Sequence, residues 1–199
     1  MKMRLILGTL VLLSAGLITH AAVQDDGGEA EMMKRWMEYM TPGDPHARLA
    51  TGVGEWTFTS EMWMDPSAPP QKGSGTASAQ MIMGGRYLVE DVKGTMMGMP
   101  YEGKSTVGYD NMLKRYFSTW IDSMGTGLTS MHGIEKGKKI TFKGMMPDAM
   151  AGKEIPLKLV ETKIDENHRQ LEMFGTGPDG KEMLTMKMVY TRVDKKSGN

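Results

Sequence analysis

Residues 98–105 read Gly-Met-Pro-Tyr-Glu-Gly-Lys-Ser, the spacing of a glycine-rich loop that cradles phosphate on backbone amides and reaches it with a lysine. That chemistry needs a buried strand before the loop and a helix after it, so that amides and helix dipole converge on the anion. Ser105 leads instead into Ser-Thr-Val-Gly-Tyr-Asp-Asn, which alternates like a strand and ends in a turn. The segment therefore reads as a hairpin connection. Methionine is the second candidate for chemistry, with 23 in 199 residues. Met62 and Met64, Met81 and Met83, Met97 and Met99, and Met186 and Met188 are spaced to share one side of a strand. Soft thioethers suit Cu(I) or Ag(I), and the same side chain is an adaptable filler of cores and cavity walls. Their spread over predicted helix, strands and turns favours filler or cavity lining, with a metal-binding role as the alternative.

Other reactive constellations are thin. His46, His132 and His168 have no spacing that sets two on one face of a helix or strand, so each is expected at the surface or in a turn, and no metal or haem ligand set is predicted. Glu90, Asp91, Asp110 and Asp122 are separated by predicted turns, where solvated or turn-capping carboxylates are the ordinary outcome. A nucleophile elbow and a paired-carboxylate cleft are both missing. An enzyme with unrecognised acid–base residues stays open, with no residue to nominate as catalytic and no cofactor implied. The chain has no cysteine, which removes thiol nucleophiles, zinc–thiolate sites and disulfides together.

These side chains are positioned by a chain that begins as an export signal. Lys2 and Arg4 precede an apolar run from Leu5 to Leu13 that continues to Ile18 and reaches the small residues Ala21 and Ala22. A basic start, a short greasy stretch and a small-residue boundary describe a leader over residues 1–22, cleaved after Ala21 or Ala22, with an uncleaved anchor as the alternative. The expected destination is the periplasm or the cell exterior. Cleavage removes two cations and no anion from a balance of 24 against 24, leaving a net charge of minus two. Such a surface offers no electrostatic reason to bind nucleic acid or an anionic membrane, and no integral membrane association is expected after cleavage.

Residues 23–30 are polar and read as a flexible linker. From Glu29 to Met40 the apolar residues Met32 or Met33, Trp36, Met37 and Met40 recur at helical intervals. Two prolines and a glycine in Thr-Pro-Gly-Asp-Pro then end the helix, and Asp44-Pro45 begins a second short helical turn. Beyond Gly54 the period is two: Trp56, Phe58, Met62 and Met64 share one face, and Glu55, Thr57, Thr59 and Glu61 the other. Turn signals such as Met-Gly-Gly-Arg at 83–86 and Gly-Pro-Asp-Gly at 177–180 punctuate about ten strands up to Val193, with no helix long enough to cross between parallel neighbours. A meander of that length closes on itself most simply as an antiparallel up-and-down barrel, with the preceding helix able to plug one end and a two-sheet sandwich as the rival. The fold class is thus mainly β, in one domain over residues 31–193, followed by a disordered tail at 194–199.

The run at 108–127, Gly-Tyr-Asp-Asn-Met-Leu-Lys-Arg-Tyr-Phe-Ser-Thr-Trp-Ile-Asp-Ser-Met-Gly-Thr-Gly, holds four aromatic rings. Tyr116, Ser118, Trp120 and Asp122 share one face of a strand, and Arg115, Phe117, Thr119 and Ile121 the other. Rings on both faces predict cover on both sides, one cover being the amino-terminal helix through Trp36 and Met37. With Tyr116 and Trp120 inward, their polar tips need partners such as Asp122.

Met-Ile-Met-Gly-Gly-Arg-Tyr-Leu at 81–88, residues 94–103 and residues 108–127, with Met-Trp-Met-Asp-Pro-Ser-Ala-Pro-Pro at 62–70 and residues 177–183, resemble the bacterial domain of unknown function 1579 family over about residues 31–193. The resemblance implies a calycin-like barrel and no agreed activity. Gly54-Glu55-Trp56 and the late Arg192 are similar to the lipocalin arrangement in which a tryptophan stacks under an arginine and seals one barrel end. The expected function is an exported binding module that holds a small apolar or amphipathic molecule. Trp56, Tyr87, Tyr101, Tyr116 and Trp120 are its candidate wall residues.

Overall fold

The computed structural model describes residues 26–177 and 179–194. The leader and the far end of the tail, residues 195–199, lie outside the described residues. Two helices, α1 (Asp26–Met40) and α2 (Asp44–Ala50), precede ten strands: β1 (Gly54–Met62), β2 (Gln71–Ile82), β3 (Tyr87–Met96), β4 (Met99–Asp110), β5 (Arg115–Asp122), β6 (Thr129–Lys136), β7 (Lys139–Asp148), β8 (Lys153–Lys163), β9 (His168–Thr176) and β10 (Glu182–Arg192). Each strand pairs antiparallel with the next, and β1 pairs with β10 to close the barrel. The closing register sets Phe58 opposite Tyr190 and Met62 opposite Met186. The up-and-down barrel is the expected one, and closure leaves no sheet edge to protect.

The two-residue period in the sequence is the period of burial. In β1, Trp56, Phe58 and Ser60 are buried while Glu55, Thr57 and Thr59 are exposed. The phosphate-loop spacing at 98–105 falls in the β3–β4 hairpin and β4. The turn at 83–86 carries positive φ at Met83 (49°), Gly84 (66°) and Gly85 (83°); the two glycines adopt it without steric cost, and Met83 sits in the small left-handed region open to side-chain-bearing residues.

Of the two roles expected of the first helix, plugging an end falls to α2 and covering β5 falls to neither helix. α2 is the plug: its His46 and Leu49 are buried, and Leu49 joins the core cluster of Leu88, Val107, Tyr116 and Ile140. Gly43 is its N-cap, with Asp44 in the first turn and Arg48 in the last, each matching the helix dipole. α1, which starts at Asp26 within the stretch read as a linker, does not cover β5. Trp36 is 56% exposed and Met37 52%. α1 is held at its end by polar groups: Asn111 Nδ2 donates to the carbonyls of Glu38 and Tyr39 at 3.1 Å and of Thr41 at 2.8 Å, and Arg86 donates to Met40. These bonds satisfy carbonyls that a helix end leaves unpaired. The outward ring of β5, Phe117, finds its cover on the neighbouring wall, against Tyr87 at 6.1 Å between centroids.

Candidate functional site

The barrel interior runs from a mouth, where β1, β3, β5, β7 and β9 end, to a closed end under α2. Between them lies a cavity of about 310 Å³. The closed end is built around Trp56, which is 2% exposed. Arg192 lies over its ring at 4.1 Å and Arg169 at 4.9 Å. Arg192 also donates Nε to Glu166 at 3.0 Å and a terminal nitrogen to Thr51 at 2.8 Å, with a further bond to Val53, so the guanidinium ties three loop carbonyls over the tryptophan. This is the lipocalin-like seal expected from Gly54-Glu55-Trp56 and Arg192, and it is structural.

Above the seal the cavity floor is charged. Glu90 of β3 and Arg169 of β9 form a buried ion pair, and the guanidinium lies 4.1 Å over the Tyr190 ring. Arg169 Nε has no hydrogen-bond partner. Arg48 reaches in from α2 to Glu135 at 3.4 Å and Glu161 at 3.7 Å. Burial raises the Glu90 carboxyl above its ordinary value; Arg169 beside it opposes that shift and Glu161 reinforces it. Burial likewise pushes the Tyr190 hydroxyl up, so it remains a proton donor, toward Met188 Sδ at 3.7 Å. Glu90 therefore departs from the expectation of a solvated carboxylate. Leu88, Glu90 and Val92 stand on one face of β3, Leu157, Leu159 and Glu161 on one face of β8, and Arg169, Leu171 and Met173 on one face of β9. The alternation that located the apolar wall also carries these charges, and this was the signal available to find them.

The walls are apolar and sulfur-rich. Among the described residues nine methionines line the cavity, Met62, Met96, Met131 and Met186 among them. Of the pairs expected to share a face, only Met186 and Met188 both line it. Met64 lies past the end of β1 at 63% exposed and Met83 in a turn at 70%, while Met97 occupies the β3–β4 turn and Met99 is exposed. Met62, Met96 and Met97 also meet around a small crevice at the mouth.

Of the five nominated aromatic residues, the structure brings two to the cavity. Tyr101 and Trp120 line the mouth as a stacked pair, 6.4 Å between centroids and 22° between planes. Trp120 Nε1 donates to Asp122 Oδ2 at 2.8 Å and Tyr101 OH to the same oxygen at 3.4 Å. A Cβ at Gly103 would run into the Trp120 ring, so the bare backbone there lets the indole lie against the wall. The other three stand elsewhere. Trp56 belongs to the seal. Tyr116 is inward but lies in the core below the cavity, its hydroxyl donating to Glu135 Oε2 at 2.7 Å and its ring edge-on to Tyr109. Tyr87 is on the outward face with Phe117.

Among the described residues the three histidines, His46, His132 and His168, do not reach the cavity. His46 is buried in α2, contrary to the expected surface position, where its Nδ1 accepts from Gly43 N–H at 3.1 Å and burial lowers its pKa. His132 faces outward from β6, and His168 contacts Asp165 at 2.9 Å at the start of β9. Asp91 pairs with Lys104 on the outer surface, and Asp110 caps its own turn through Met112 and Leu113 N–H, as expected of turn carboxylates. Among the described residues no group of three or more His, Cys, Asp or Glu could hold a metal, and no helix is long and apolar enough to cross a membrane.

A closed ten-stranded antiparallel barrel, sealed by a short helix and enclosing a cavity open at one end, defines the class of protein. The sequence profile described as a protein of unknown function, DUF1579, matches residues 41–192, and the chain belongs to that family. No curated protein matches the sequence. Rv2717c from M. tuberculosis has a crystal structure similar to this one at a TM-score of 0.56 and 12% identity, covering 77% of this chain and 100% of that one, a likeness of fold. A redesigned β-barrel, b11L5F_LGL, matches at a TM-score of 0.41 and 15% identity over 77% of this chain and 100% of its own, too distant to inform the site.

Proposed function

We propose that the protein is an exported barrel that binds a small apolar or amphipathic molecule in its interior. The observation that carries this reading is the cavity of about 310 Å³ with methionine and aromatic walls. Its size lies at the lower end of small-molecule sites, and thioether walls adapt to a ligand's shape. Export rests on the basic and apolar leader at residues 1–22. Titration with Nile red, a neutral apolar probe, checks the binding: saturable enhancement with micromolar affinity is expected, competed by the organic adduct that native mass spectrometry finds on protein from its own host. No saturable binding up to the solubility of the dye, together with a bare native mass, rules the reading out. The mass of the native product also checks cleavage after Ala21 or Ala22.

A second reading, Cu(I) or Ag(I) binding, gains support from the gathering in space of methionines that are scattered in sequence, with Met62, Met96 and Met97 around one crevice. Titration with Cu(I) under reducing conditions decides it, and affinity weaker than millimolar removes it.

A further inference from the structure

We infer that the mouth of the cavity selects a cationic amphiphile, an alkyl chain bearing an ammonium group, with the ammonium against Asp122 and the chain running down the methionine-lined wall. This rests on the reading of the cavity as a ligand site and adds the charge of the ligand's head.

Among the described residues the cavity lining carries three carboxylates, Glu90, Glu161 and Asp122, against one guanidinium, Arg169. The two at the floor are answered by cations: Glu90 by Arg169, and Glu161 by Arg48 at 3.7 Å from α2. Asp122 is different. Its partners are neutral donors: Trp120 Nε1 at 2.8 Å and Tyr101 OH at 3.4 Å on Oδ2, and Met124 N–H at 2.9 Å on Oδ1. Among the described residues no Lys, Arg or His pairs with it. The donors fix the carboxylate in place without neutralising it, and the stacked rings of Tyr101 and Trp120 stand beside it.

An ammonium is attracted both by a carboxylate and by the face of an indole or phenol. The same field opposes a carboxylate head, so a fatty acid would bring a like charge to Asp122 and into a lining that is already net negative. The floor gives a cation no comparable place, because its carboxylates are already paired. The wall between floor and mouth is largely apolar, with Phe58, Val92, Leu171 and Met188 to receive an alkyl chain and the neutral hydroxyls of Ser60, Ser105 and Ser118 set among them. Head at the mouth and chain inward is therefore the orientation that leaves no charge buried without a partner.

The test compares decyltrimethylammonium, decanol and decanoate below their aggregation limits, by calorimetry on the full exported chain. The expected order is ammonium at least tenfold tighter than alcohol, and alcohol at least tenfold tighter than decanoate. Asp122→Asn should bring the ammonium to within about threefold of the alcohol, both measured on the variant, with circular dichroism and the urea midpoint reporting that the variant is folded. If Asp122→Asn does not fold, Asp122→Ser serves the same comparison. Equal binding of ammonium and alcohol by the wild-type protein overturns the inference and leaves the apolar-ligand reading standing. An ammonium preference that survives in the Asp122 variants also overturns it. Failure of all three compounds to bind removes the apolar-ligand reading itself and the inference with it.

Discussion

Replacing Arg169 by methionine keeps length and much of the volume at the cavity floor but leaves Glu90, 5% exposed, without its cation. Removing one partner of a buried pair is expensive because the remaining charge has neither water nor counter-ion. Protonation gives that charge an escape and so bounds the cost. Starting from the ordinary value of 4.5, neutralising a glutamate at pH 7 costs about 3.4 kcal/mol. Losing the guanidinium from the Tyr190 and Trp56 rings, at 4.1 and 4.9 Å, adds about 1–2 kcal/mol. Because burial already raises the Glu90 carboxyl in the wild type, part of that cost is present before the substitution, and about 4–5 kcal/mol is the upper bound on the destabilisation at pH 7, against the ~5–15 kcal/mol that holds a domain folded.

The pH dependence distinguishes this cause from simple loss of packing. Burial raises the Glu90 carboxyl and Arg169 opposes it, so the substitution leaves burial unopposed. A carboxyl whose folded-state pKa lies above its unfolded value contributes stability that is fully present below the unfolded pKa and is lost as pH rises through the folded one. The deficit of Arg169→Met against wild type should accordingly shrink to about 1–2 kcal/mol near pH 4.5, the part owed to the rings. Urea denaturation followed by tryptophan fluorescence at both pH values measures it. Adding Glu90→Leu should remove the pH-dependent part of the deficit, since a buried pair can often be exchanged for apolar residues with little loss. A deficit below about 1 kcal/mol at pH 7, or one of equal size at both pH values, would refute the reasoning and show that Glu90 is not held as a charge by Arg169.

Arg192→Lys should lose the fork that binds Thr51, Val53 and Glu166 while stacking on Trp56; about 2–3 kcal/mol is expected from chemical unfolding, and a cost under ~0.5 kcal/mol would show that a point charge suffices. Trp36→Ala should change stability by less than about 0.5 kcal/mol, because the ring is 56% exposed on α1. A loss of ~3 kcal/mol or more in the same assay would place Trp36 in a core. Gly103→Val should push the Trp120 indole off the wall and into the cavity, costing about 1–3 kcal/mol by overpacking and weakening decanol binding at least tenfold by calorimetry; unchanged affinity in a folded variant would show that the indole does not border the ligand.

Most of the barrel was legible because its cause is local. Each strand needs only its own alternation and each hairpin only its own turn residues, and Met83, Gly84 and Gly85 supply the left-handed backbone that reverses the chain before Arg86. α1 shows where local information stops. A helical period states that Met33, Trp36, Met37 and Met40 share a side, and nothing in that period states what lies against it. The structure leaves that side open and assigns the plug to α2, a helix of seven residues, too short to display a period of its own.

The site was legible in direction but not in height. Alternation places Trp56, Tyr116 and Trp120 all inward, yet an inward side chain fills the seal, the core or the cavity according to how far along the barrel its strand carries it. That distance is fixed by pairings between remote segments, such as Phe58 opposite Tyr190. The same limit hid the floor: the period sets Glu90 beside Leu88 and Val92, but its cation lies 79 residues away on β9. Height also separates structural charge from available charge. At the closed end Glu90, Glu135 and Glu161 stand beside Arg48 and Arg169, cations drawn from a helix and a distant strand that the fold itself brings there. Among the described residues no cation does the same at the mouth for Asp122, whose neighbours are the Tyr101 and Trp120 rings and the Met124 amide. A carboxylate held by neutral donors has no counter-ion of its own among the described residues, and its place at the open end of the cavity lets an incoming cation meet it before the chain behind is desolvated.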